Sequence, residues 1–227
     1  MCKINGLMIR LTGGLPEGHR FFSGRYHYGR AKFVYIPTHG RRELDGKFCY
    51  KRKLKGGMYR KAEGMYEHNV KTGKWRFVRS GRNSTIRVEA NFKAGALDGD
   101  LLYICDENAI SGSMRTKLKM TIADGKVKGV IEGKFGKGNF TGQCDDKGHP
   151  DGTWVVVVKK YMRTESELME VWHHGCLLYT DLQEEERHPT PDASLFRTRI
   201  NYILNEEVPR LLNIAPRGSE DVSLKIA

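Results

Sequence analysis

The nine residues NVKTGKWRF, Asn69 to Phe77, set an asparagine and a glycine four apart and follow them with an aromatic, a cation and an aromatic. Alternation of period two after a glycine is the pattern of a strand that starts just past a turn and buries one face. The stretch FKAGALDGDLLYI repeats it. Gly95 and Gly99 keep the four-residue spacing, and Leu101 and Tyr103 stand where Trp75 and Phe77 stood.

Extending the search along the chain finds a glycine before such a pair at Gly24, Gly46, Gly73, Gly99, Gly129 and Gly152. Two residues after each come Tyr26, Phe48, Trp75, Leu101, Ile131 and Trp154. Four after come Tyr28, Tyr50, Phe77, Tyr103, Gly133 and Val156, so that every position except Gly133 is aromatic or aliphatic. A turn residue precedes by four in Asn69/Gly73, Gly95/Gly99, Gly125/Gly129 and Gly148/Gly152, and Gly40/Gly46 has the same order with a longer loop. The first position is expected to need positive φ, which glycine reaches freely and asparagine better than most side chains. Upstream, IRVEANF puts Ile86, Val88, Ala90 and Phe92 on one face. Each unit therefore reads strand, turn, strand.

With HNVKTGKWRF and FKAGALDGDLLY, and more loosely ADGKVKGVIEGKF and KGHPDGTWVVV, the chain resembles the MORN-repeat family, especially its bacterial variant whose members are often labelled antitoxin components. The shared core is aromatic-x-x-Gly-x-x-x-Gly-x-aromatic, and the resemblance covers roughly residues 18–180. The spacing here is irregular, the tyrosine-acidic-glycine opening of the classical repeat is absent, and residues 51–64 and 104–116 read as extra loop. The resemblance implies an elongated antiparallel meander with no catalytic machinery common to all members. It also implies partners among peptides, protein domains and, for some members, acidic phospholipids. The expected fold is mainly β: a meander of about six β-hairpin repeats in residues 1–180, then an acidic linker and a C-terminal helix in residues 181–227.

The tail is a different kind of segment. DLQEEERHP, residues 181–189, lacks alternation and reads as a linker or as the acidic start of a helix. Thr190 then offers an N-cap, Pro191 fits the first helical position and Asp192 favours the positive end of the helix. Phe196, Ile200, Ile203 and Leu204 share one helical face, and Pro209 is expected to end or kink the helix. A helix of this length is marginal alone. It is expected to cap the open end of the sheet near VWHHGCLLYT, or else to dock a partner.

Charge is distributed unevenly. Residues 1–91 carry 21 Lys+Arg against 6 Asp+Glu, whereas residues 92–180 carry 12 of each. Odd offsets after the unit glycines, opposite the aromatic ladder, hold Arg25, then Lys47 and Lys51, then Lys74 and Arg76 in the first three units, with Asp100 and Glu132 at matching places later. Arg41, Arg42 and the run KRKLKGG, with Arg52 and Lys53, add to this basic ribbon. Such a ribbon attracts phosphates by counterion release. It lacks aromatics on the same face, which stacking of single-stranded bases would require.

No stretch approaches the roughly 18 apolar residues of a spanning helix, and MCKINGLMIRLTGG does not read as a signal peptide. Five scattered cysteines without a CxxC pair argue against a disulfide framework or a zinc ribbon and favour a reducing cytoplasm. No phosphate-cradling loop is present in GKFGKGNFTG or LKGGMYRKAEG. His173 and His174 are expected on opposite faces of a strand, and Asp145 and Asp146 in a solvated turn. Cys176 and His174, two apart, could pair as nucleophile and base, but a buried or half-buried core cysteine is the simpler reading. No catalytic residue, metal site or cofactor is therefore assigned. The leading functional reading is a non-enzymatic interaction scaffold for a protein or peptide. The alternative is a binder of acidic phospholipid or nucleic acid through the ribbon of residues 25–79.

Overall fold

In the structure, a computed structural model that describes residues 14–109, 112–136, 138–160, 163–184 and 193–213, the alternating segments form thirteen strands. They are β1 (Arg20–Tyr26), β2 (Gly29–Thr38), β3 (Arg41–Lys53), β4 (Tyr59–Glu67), β5 (Val70–Ser80), β6 (Ser84–Lys93) and β7 (Ala96–Ala109). The series continues with β8 (Gly112–Ala123), β9 (Lys126–Phe135), β10 (Gly138–Cys144), β11 (Gly152–Lys160), β12 (Arg163–His173) and β13 (Cys176–Glu184). Spatial order equals chain order and neighbours are antiparallel, so the sheet is one meander, as the repeat predicts.

Most of the two stretches read as extra loop instead belongs to the longest strands and their partners, while residues 54–58, around a 3-10 turn at Lys55–Gly57, are loop as expected. β3 runs on through Lys53 and pairs Lys51, Arg52 and Lys53 with Lys61, Arg60 and Tyr59. β7 and β8 pair as far as Ala109 and Gly112. Once flanking strands hold the register, backbone hydrogen bonds extend a ladder without apolar side chains, and charged runs then hide the alternation. At the other end β13 passes the expected boundary at 180 by four residues.

Two-residue turns with positive φ at both positions join the strands at one end of the sheet: His39-Gly40, His68-Asn69, Ala94-Gly95, Asp124-Gly125 and His174-Gly175. These are the tight hairpin turns whose twist matches that of the strands. The second glycine of each spaced pair has its own purpose. Gly46, Gly73, Gly99 and Gly129 also have positive φ and sit in bulges where three residues oppose one, as Asp45, Gly46 and Lys47 oppose Val34. Each bulge frees a carbonyl two residues before its glycine, and the next turn fills it: the N–H groups of Asn69, Gly95 and Gly125 donate to Leu44, Lys71 and Leu97 at 2.8, 3.0 and 3.4 Å. The four-residue spacing is thus turn plus bulge. The first unit departs from this pattern. Gly24 lies in unbulged pairing with Ala31, and Tyr28, expected in the ladder, stands in the β1–β2 turn 82% exposed.

The ladder itself is as predicted. Phe48, Trp75, Leu101 and Ile131 are buried, and Tyr26 and Trp154 pack against the same core. Large residues on one strand lie over small ones on the next. A Cβ on Gly64 would fall 2.2 Å from the Trp75 indole, one on Gly142 2.3 Å from Trp154, and one on Gly133 1.9 Å from Phe140. Gly133, the exception in the sequence pattern, is therefore the floor under a neighbouring ring. Gly64→Ala forces the Trp75 ring off the sheet and is expected to destabilise by roughly 3 kcal/mol, the upper end of overpacking losses. Urea melts check this, with Trp75→Leu expected to recover part of the loss in the double variant.

The C-terminal helical segment comprises α1 (Ala193–Tyr202), a wide turn at Ile203–Glu207 and α2 (Val208–Leu212). Ile200, Ile203 and Leu204 are buried as expected, and Val208, Leu211 and Leu212 extend the stripe. The Phe196 side chain, Thr190, Pro191, Asp192, Glu185 and Glu186 lie outside the described residues. Pro209 does not end the helix. The preceding turn widens so that the Val208 N–H bonds Ile203 O, five residues back, which makes room for the proline ring.

The helix does not cap the last unit. It crosses the middle of the ladder face, where three polar contacts fix it: Lys71 Nζ donates to Leu212 O at 2.9 Å, the Tyr103 hydroxyl to the Glu207 carboxylate, and Arg199 Nη2 to Glu107 Oε1 at 3.0 Å. The tall residues of β5 and β7 offer more apolar area than a sheet edge does.

Candidate functional site

With the ladder face holding the core and the helix, the opposite face of the sheet is the open one. Strand alternation puts Arg25, Lys47, Lys51, Lys53, Lys74 and Arg76 there, as the sequence implies. Two other candidates go elsewhere. Arg42 lies on the ladder side, with its guanidinium 4.4 Å from the Phe22 centroid and 5.6 Å from that of Tyr35, and Arg52 stacks at 5.0 Å on Tyr28. Arg41 shares the open face but stands at its edge, at the β2–β3 turn opposite Thr38.

The even-numbered strands, which the offset count from unit glycines passes over, change the electrostatics of the ribbon. Glu63 of β4 and Glu89 of β6 stand between the cations of β5 and their neighbours. Lys74 Nζ lies 2.9 Å from Glu89, Arg76 lies 3.5 Å from Glu89 and 3.9 Å from Glu63, and Lys61 pairs with Glu63. The hydrogen bond from Lys74 holds the Glu89 carboxyl below its ordinary range against the opposing effect of burial. Lys74 and Arg76 are thus partners in a network rather than free charges.

A different set of cations lines up. Cross-strand pairing runs without a break from Arg25 to Arg30, Lys51 and Lys61 in β1 to β4. It continues through Val78 to Arg87, then through Ile104 to Lys117 and Lys134 in β8 and β9. No carboxylate interrupts this row, whereas the adjacent row alternates Glu63, Arg76 and Glu89, then Lys119 and Glu132. Lys117 and Lys134 extend the row well past residue 79, where the sequence reading ended the basic ribbon. Among the described residues, Arg25, Arg30, Lys117 and Lys134 have no carboxylate partner.

Where the bulges draw strands back, the open face is hollowed into a trough of about 370 Å³ between β5 and β9. Leu102 and Val130 supply apolar wall, and Lys74, Glu89, Asp100, Lys119 and Glu132 the charged groups around it. Neither Leu102 nor Lys119 was a sequence candidate. Both become visible only once pairing places them beside the bulges.

The histidines and acids form turn locks. Asp45 Oδ2 accepts from His19 Nε2 at 2.7 Å, and its hydrogen bond is the main reason the imidazole pKa is raised. Asp145, read as part of a solvated turn, instead accepts from His174 Nδ1 at 2.9 Å and from the N–H groups of Lys147 and His149 at 2.8 and 2.9 Å. Burial works against its charge, but these bonds hold its carboxyl below the usual carboxylate range. The His173 and His174 rings, expected to diverge, are 4.2 Å apart because His174 belongs to the turn, with φ of 47°. Cys176 is exposed rather than a core residue. Among the described residues no group of three His, Cys, Asp or Glu side chains could hold a metal ion.

Among the described residues no helix is long and apolar enough to cross a membrane. Comparison with family models and with curated protein sequences finds no match to this chain.

Proposed function

We propose that this protein is a non-enzymatic binding scaffold, a MORN-like β-repeat whose open face receives a protein or peptide partner in the trough between β5 and β9. The observation that carries the reading is the composition of that trough. Leu102 and Val130 offer apolar contact, Val130 being 51% exposed, and cations and carboxylates in near balance surround them. Mixed charge around an apolar centre suits a peptide, whose side chains carry both signs, better than it suits a small uniform anion.

The test is capture of partners by the full chain at about 50 mM and about 500 mM salt, followed by binding of the purified partner to wild type and to Leu102→Gln/Val130→Gln. The partner is expected to persist at high salt and to be lost by about tenfold or more in the variant, with unchanged thermal unfolding. A partner bound equally by both proteins would remove the trough from consideration.

A further inference from the structure

The cation row on β1 to β9 is separate from the trough, and it matches a different kind of ligand. We infer that it binds the sugar-phosphate backbone of a single-stranded nucleic acid, laid across the strands.

Strands are about 4.8 Å apart, so the eight steps from Arg25 to Lys134 span about 38 Å. Seven of the nine row positions are cationic and none is acidic, while the row beside it is charge-balanced. A solubilising surface would mix signs equally in both rows. Arg87, at the middle of the row, has its Nε buried with no hydrogen-bond partner among the described residues.

The shape of the row decides between polyanions. Adjacent strands rotate by about 20–25°, so over eight steps the row turns through about 160–200°. A flat bilayer touches only part of such a path, and duplex nucleic acid is stiff over about 150 base pairs. A flexible single strand can follow it. A ring on the face of the row favours nucleic acid over an acidic peptide. Tyr59, on the open face, pairs with Lys53 and has Lys51 Nζ 4.6 Å from its centroid. The sequence reading found aromatics only on the ladder side. Tyr59 supplies one where bases could stack, and such stacking is tolerant of sequence.

Fluorescence anisotropy of the full chain with a labelled oligothymidylate of about 15 nucleotides tests the inference. Single strands lose about 0.7 in log K per log salt for each phosphate neutralised, so five to seven contacts give a slope of about −3.5 to −5. Lys117→Gln with Lys134→Gln is expected to weaken binding roughly tenfold at about 50 mM salt and to flatten the slope by about 1.4. Lys93→Gln with Lys126→Gln removes the same charge outside the row and is expected to leave affinity within about twofold. Tyr59→Ala is expected to weaken binding without changing the slope. Absence of binding at about 50 mM salt, or equal loss in the two lysine pairs, overturns the inference. It is also overturned if polyglutamate displaces the oligonucleotide as readily as unlabelled oligothymidylate does, or if phosphatidylserine vesicles bind with the same dependence on the row. The trough variant Leu102→Gln/Val130→Gln is expected to retain oligonucleotide binding, so failure of the partner reading and failure of this one are separable.

Discussion

Trp75→Ala is expected to destabilise the protein by about 3–5 kcal/mol, the range for deleting a large buried aromatic. The indole is fully buried and stacks on Phe77 with centroids 5.6 Å apart, meets Tyr66 edge-on at 5.0 Å and Phe48 at 6.0 Å, and donates from Nε1 to Met65 O at 3.0 Å. It also covers the bare backbone of Gly64. Alanine fills none of that volume, and neighbours fixed by strand pairing cannot collapse into the gap. His174→Ala is the comparison: it removes an exposed ion pair with Asp145, a class of contact worth about 0–1 kcal/mol. Urea melts of both variants check the contrast. Similar small losses would mean that the ladder is not the main source of stability.

Stability is expected to rise with pH above neutrality by an amount traceable to Lys71. In the repeat its position, two before the bulge glycine, is held by Leu44, Leu97 and Val127 in other units, all buried. Lys71 is equally buried, with Nζ about 5.3–5.5 Å from the centroids of Trp75, Phe77 and Phe92. Among the described residues its one polar partner is Leu212 O at the helix end, which favours a cation but is one acceptor for three donors. Burial therefore lowers the ammonium pKa from 10.5 to about 8.

The unfolded chain then binds more protons than the folded one between about pH 8 and 10.5. The cost of the buried charge is present in full below about pH 8 and disappears as pH rises to 10.5. At 1.36 kcal/mol per pH unit the whole effect is about 3 kcal/mol. The stability of wild type relative to Lys71→Met is expected to increase by about 2 kcal/mol between about pH 7 and about pH 9.5, and denaturant melts of both at each pH isolate this term from other titrating groups. A constant difference would show that Lys71 keeps its proton when buried and that its pKa is not lowered.

Much of this was legible in single strands. Period-two placement identified the ladder and the open face, and positive-φ turns followed from glycine and asparagine at fixed spacing. The helix face of Ile200, Ile203 and Leu204 needed only a period of 3.6. These are local properties, because each residue's face is set by its own strand or helix.

What lies beside what depended on the tertiary structure. A bulge of two extra residues preserves which face a side chain takes, so the faces stayed readable through β9, but it slides every later neighbour along the partner strand. Only the assembled register therefore showed that Glu63 and Glu89 neutralise Lys74 and Arg76. It also showed that Arg30, Lys61, Arg87, Lys117 and Lys134 join Arg25 and Lys51 in one row. The place of the helix was equally hidden, since Lys71 and Leu212 are 141 residues apart and nothing in either local sequence specifies the other.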